Sequence, residues 1–117
     1  MKLYAVSLCY SLVFAQPVFA QTQGDAISRD AFFALGVTLV RQNKAQDAVN
    51  VADALLATRP NDPATLLLRA EVAVLLDDFK NAAVFAAKSY RNTQDKNLKF
   101  AAARLAALAH SQLQNDT

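Results

Sequence analysis

From Arg29 onward, apolar residues return every three or four positions, and the polar residues between them gather into short clusters that punctuate the chain. Phe32, Phe33, Leu35, Val37, Leu39 and Val40 mark a first helix over residues 29–42, with Gly24-Asp25 and Ser28 as start signals before it. Asn43-Lys44 makes a turn. Ala48, Ala52 and Leu55 then line one face of a second helix, Ala45 to Thr58. Arg59-Pro60 ends it, because Pro60 has no amide hydrogen to donate and keeps its predecessor out of the right-handed helical region. Asp62 reads as an N-cap and Pro63 as a first helical residue, where a missing amide costs nothing. A third helix runs from Pro63 to about Leu76, and Asp77-Asp78 turns the chain and caps a fourth over Phe79 to Arg91. Asn92 to Lys96 connects to a fifth, Asn97 to about Leu113. Helices of similar length joined by turns this short are antiparallel neighbours.

The segment before this pattern follows a different grammar. Met1-Lys2 is a short positive start, Leu3 to Ala15 is an apolar run, and Gln16-Pro17 breaks it ahead of Val18-Phe19-Ala20. That is the layout of a secretory signal peptide over residues 1–20, with cleavage after Ala20. The alternative is an uncleaved anchor, since roughly 18 apolar residues just span a bilayer. Pro17, the Val-x-Ala ending and the polar Gln21-Thr22-Gln23-Gly24 that follows favour cleavage. Residues 21–27 then form a short lead into a helical domain over 28–117, and the expected location is periplasmic or secreted. Cys9 is the single cysteine and leaves with the signal, so the mature chain uses neither a disulfide nor a Cys-ligated metal.

Composition narrows this further. A chain of 117 residues is one domain at most, and 54% apolar content is enough for a packed core. Two glycines, abundant alanine and leucine, and almost no β-branched runs specify an all-α fold. The net charge is only +2, one unit of it from Lys2, which gives no basic face for nucleic acid.

Superposing the two hairpins at a constant offset places Phe32 on Leu66, Gly36 on Ala70, Ala45 on Phe79, Ala48 on Ala82, Ala52 on Ala86 and Leu56 on Tyr90. This resembles the tetratricopeptide repeat (TPR), whose period of about 34 residues is the same. In that family a bulky residue precedes a small one on the first helix, and small residues on the second let the pair cross closely. Phe32, Leu35-Gly36, Leu39, Ala48 and Pro60 occupy the family's places in the first unit, and Leu66, Ala70, Ala82 and Ala86 in the second. Ala45 and Ala52 replace aromatics, Leu55 and Ser89 stand where a small alanine is usual, Arg69 replaces a leucine and Gln94 a proline. In the third unit two registers stay open, one with Phe100 under Leu66 and one with Leu105-Ala106 as the large–small pair. The resemblance covers about residues 28–110 and implies antiparallel hairpins stacked as a short right-handed solenoid.

It also implies a function. The first helices of successive hairpins line a concave groove in that family, here Phe33, Val37, Val40, Leu67, Glu71 and Val74, with Leu75 beside them. The family members that grip C-terminal carboxylates use Lys and Asn at such places, and none is present. The expected occupant is therefore an apolar peptide or helix of a protein partner, with no cofactor and no metal.

Candidate chemistry is sparse. His110 is the sole histidine and has no second ligand to share a metal. Asp77-Asp78 already ends one helix and caps the next, and no base accompanies it. Glu71 is the single glutamate, placed mid-helix among aliphatics, where a neighbouring cation would pair with it. Neither a Gly-rich phosphate loop nor a basic patch with interleaved aromatics occurs. The expectation is a non-enzymatic adaptor.

Apolar residues surround nearly the whole last helix, Phe100-Ala101-Ala102-Ala103-Arg104-Leu105-Ala106-Ala107-Leu108-Ala109, as in a helix buried on more than one side. A solenoid normally closes with a polar outer face. Either a second copy, pairing as a homodimer through this helix, or another protein covers it, or the chain is the front part of a longer one. The layout of signal and Ala-rich repeats looks like periplasmic TPR segments of Gram-negative bacteria, some of which precede an outer-membrane β-barrel. By that analogy the alternative function is the N-terminal periplasmic module of a secretion or surface-display system.

Overall fold

A computed structural model describes residues 29–115, and over them the chain is all-helical: α1 (residues 29–41), α2 (Ala45–Thr58), α3 (Pro63–Leu75), α4 (Phe79–Arg91) and α5 (Lys96–Asn115). The expected signal segment and lead, residues 1–27, lie outside the described residues. The chain divides into two units, Met1–Ala31 and Phe32–Thr117. Residues 29–31 of the first are described, and they are helical.

Three residues separate α1 from α2 and α3 from α4, while four separate α2 from α3 and α4 from α5. The two short turns are the same object, repeated one period further along the chain. Asn43 and Asp77 both adopt the left-handed conformation, at φ 61° and 58°, which Asn and Asp tolerate better than most side chains. The Lys44 amide donates to Leu39 O at 2.9 Å, and the Asp78 amide donates to Ala73 O at 2.8 Å. The amides of Asn43 and Asp77 in turn donate to Val40 O and Val74 O, each at 3.0 Å. Carbonyls that a helix end would leave unpaired are thus satisfied by the turn itself.

The helix starts differ in chemistry. Asp78 accepts from the Asn81 amide at 3.3 Å and from its side-chain amide at 2.7 Å, capping α4. Asp95 accepts from the amides of Asn97 (2.8 Å) and Leu98 (3.4 Å), so α5 begins at Lys96, one residue before the sequence-based boundary. It also runs on to Asn115, two residues past the expected end. Asp62 does precede α3 and Pro63 is its first residue, but the Asp62 carboxylate accepts from the Thr65 hydroxyl rather than from a backbone amide. A constant period would put the counterpart of Pro63 at Asn97, so the third unit starts one position short of it.

Packing follows the chain: α2 on α3, α3 on α4, α4 on α5, with α3 also against α5. Alanines make this possible. Ala48, Ala52, Ala70, Ala82 and Ala86 are fully buried, at the points where side chains longer than a methyl would hold the helices apart. Gly36 does the same for α1. A methyl added there would lie 2.8 Å from Leu68 Cδ2 on α3 and 3.1 Å from Val51 Cγ1 on α2. The Ser89 hydroxyl near the end of α4 donates to Pro63 O at the start of α3 (2.8 Å), fixing these two helices antiparallel.

Arg69, where the repeat pattern calls for leucine, holds three helices together. Its Nε donates to Asp53 Oδ1 on α2 at 2.9 Å, and its guanidinium lies 5.0 Å from the Phe85 ring centroid on α4. The Arg69 Nη1 atom is buried with no hydrogen-bond partner. A leucine could fill the space but could not tie α2 to α4 across α3.

Candidate binding groove

Two shallow depressions lie side by side along α1, α3 and α5. The first, about 310 Å³, is bounded by Phe33, Val37 and Val40 of α1, Leu67 and Leu68 of α3, and Leu98 of α5, with Arg41 at its edge. The second, about 430 Å³, lies between α3 and α5 and is bounded by Ala101, Arg104, Leu105 and Leu108. Glu71 borders both. Every one of these residues comes from an odd-numbered helix. The arrangement arises because α2 and α4 take up the opposite side of α3, with Ala48, Ala52, Ala82 and Ala86 turned inward to meet it.

Five of the residues expected to line a groove therefore surround one depression: Phe33, Val37, Val40, Leu67 and Glu71. Val74 does not join them. It packs against a cluster of Ala73, Ala82, Ala83 and Ala109, contributed by α3, α4 and α5. Leu75 is exposed and borders neither depression. Leu98 and Leu105 are not among the residues expected from sequence, because two registers of the third unit stay open there. Their signal is present in α5, where Leu98, Ala102, Leu105 and Ala109 alternate at spacings of four, three and four, the seam of a helix packed along one side.

The positions that define the repeat fare unequally. Ala48, Ala82 and Ala86 are buried, as are Gly36, Ala70 and Leu66. Phe32 and Leu35, on the first described helix, stay exposed, and Pro60 is exposed in its turn. At a constant period Phe100 should resemble Leu66, yet Leu66 is 1% exposed and Phe100 65%.

Electrostatically the groove carries one charge from each of its helices: Arg41, Glu71 and Arg104. Partial burial among its aliphatic neighbours pushes the Glu71 carboxyl above the ordinary carboxylate range, although the residue as a whole is exposed. Among the described residues Glu71 has neither an ion pair nor a side-chain hydrogen bond. The Arg69–Asp53 ion pair lies on another face of α3. Arg104 lies over the Phe100 ring, 5.9 Å from its centroid. His110 is exposed on α5, and no three His, Cys, Asp or Glu side chains converge among the described residues. No described helix is long and apolar enough to cross a membrane.

No protein-family model, no curated protein and no solved structure matches this chain.

Proposed function

We propose that the chain is an exported helical-repeat adaptor, TPR-like in architecture, that holds an apolar segment of a protein partner in the groove along α1, α3 and α5. The observation that carries this reading is the convergence of Phe33, Val37, Val40, Leu67, Leu98 and Leu105 on one open face. Surface of this kind gains roughly 25 cal/mol for each Å² of apolar area that a ligand removes from water. The recurrence of turn conformation and hydrogen bonding at Asn43 and Asp77 supports the solenoid, and the grammar of residues 1–20 supports export. The role is binding rather than catalysis.

A photo-crosslinking side chain at position 67, compared with one at Val84 on α4 outside both depressions, tests the assignment in intact cells. Adducts at 67 alone are expected. Equal adducts at both sites, or none at either, contradict it. N-terminal sequencing of the exported protein is expected to begin at Gln21, and a chain still starting at Met1 would remove the signal from the account.

The outer face of α5 carries a second part of the reading. Phe100, 65% exposed and bordering neither depression, favours pairing with another copy. Light scattering is expected to find a dimer that Phe100→Lys dissociates. A monomer at every concentration would remove this part and leave the groove untouched.

A further inference from the structure

The groove is apolar apart from Arg41 and Arg104 at its borders and one carboxylate common to both depressions. Glu71 stands on α3, the helix with a groove-lining neighbour on either side, and it is the residue common to the two depressions. Its surroundings are Leu67, Leu68 and Val37 on one side and Leu105 and Leu108 on the other. The Glu71 residue is itself exposed, so a ligand can reach its carboxylate, and among the described residues that carboxylate has no compensating charge or donor. Asp53, which pairs with Arg69 of α3, borders neither depression. Arg41 and Arg104 border the groove but neither is paired with Glu71, and Arg104 is engaged with Phe100. The field across the three helices thus runs positive, negative, positive.

From this charge order and the apolar lining, and resting on the groove assignment above, we infer that the occupant is a protein segment whose apolar face carries a single Lys or Arg at its centre, paired with Glu71. The apolar side chains of the segment fill the depressions and exclude water. In the drier environment the ammonium or guanidinium meets Glu71 in a charge-assisted hydrogen bond, stronger there than at an exposed surface. Arg41 and Arg104 supply the other half of the specificity. A segment basic along its length would bring like charges against them and is rejected.

Four fluorescein-labelled amphipathic helices of equal length with the same Leu/Ala face test this by anisotropy. Three differ only in a central Lys, Gln or Glu, and the fourth carries Lys at the centre and at both ends of the apolar face. The central-Lys helix is expected to bind about tenfold more tightly than the central-Gln helix, the size of one hydrogen bond to a charged group. The central-Glu and multiple-Lys helices should bind more weakly still. Glu71→Gln should erase the Lys-over-Gln preference without weakening the central-Gln helix, and Glu71→Lys should favour the central-Glu helix. Titration of a 13C-labelled Glu71 carboxyl should move downward when the central-Lys helix is bound.

Equal binding of the Lys and Gln helices to the unaltered protein overturns the inference, as does a Lys preference that survives Glu71→Gln. If those helices bind equally but Leu67→Arg abolishes binding, the groove assignment stands and the basic-residue inference alone falls. If no helix binds, or Leu67→Arg changes nothing, both fall together.

Discussion

α3 and α5 are both rich in Ala and Leu, yet α3 buries six of its 13 residues and α5 only two of its 20. The cause is place rather than composition. α3 lies against α2, α4 and α5 and is approached by Gly36 of α1, whereas α5 packs on α3 and α4. Ala102 and Ala109 face that contact and are fully buried, while Phe100, Arg104 and Leu108 remain on the open side. Helices of similar composition therefore differ in burial by their place: α3, packed on several sides, buries much of its circumference, and α5 leaves one face open.

This contrast is most exposed to test by truncating one large side chain on each helix. Leu66→Ala should cost about 2–5 kcal/mol by urea denaturation, since it empties a fully enclosed site. Phe100→Ala should stay within about 0.5 kcal/mol at protein concentrations low enough to keep the chain monomeric, because its ring is then largely in water. Similar losses at both sites would mean that α5 is covered in the free protein.

Next in size is the approach of α1 to α3. Gly36→Leu should destabilise by about 1–3 kcal/mol, because its side chain must displace Leu68 and Val51. A neutral result would show that α1 is not seated on α3, and the groove would lose one wall. Smaller again is the cap of α4. Asp78→Ala should cost about 1 kcal/mol, and Asp78→Asn much less, since the amide oxygen still accepts from Asn81.

The smallest effect belongs to Glu71. Its carboxyl holds a proton more tightly in the folded than in the unfolded chain, so the folded state is favoured below the ordinary carboxylate pKa. That advantage disappears as pH rises through the elevated folded value. Glu71→Gln should therefore raise the midpoint of thermal unfolding slightly at pH 7 and leave it unchanged at pH 3. A lowered midpoint at pH 7 would show Glu71 to be favourably paired in the free protein.

Local punctuation explains what could be read directly from the chain. Arg59-Pro60 and Asp78 fix the limits of α2 and α4 because proline and side-chain caps act within a few residues of where they stand. The spacing between the two hairpins was legible for the same reason: Asn43 and Asp77 are turn-forming residues at matching places. Tertiary contacts were less so. The role of Arg69 depends on Asp53, more than four helical turns earlier, and on Phe85, on the following helix, which no local pattern joins. Of the residues that the repeat resemblance implies for a groove, Phe33, Val37, Val40, Leu67 and Glu71 border one depression, while Val74 packs where α4 and α5 converge on the end of α3. Leu98 and Leu105 border the depressions as well, and the sequence does not single them out because the register of the third unit stays open.

The most direct test of the groove is methyl NMR on the protein labelled at Val and Leu, titrated with the central-Lys helix. Val37, Val40, Leu67, Leu98 and Leu105 should shift together and saturate at one concentration, while Val84 on α4 stays in place. Shifts confined to Val84, or to Leu108 without the α1 and α3 residues, would contradict the account and move the binding surface elsewhere on the molecule.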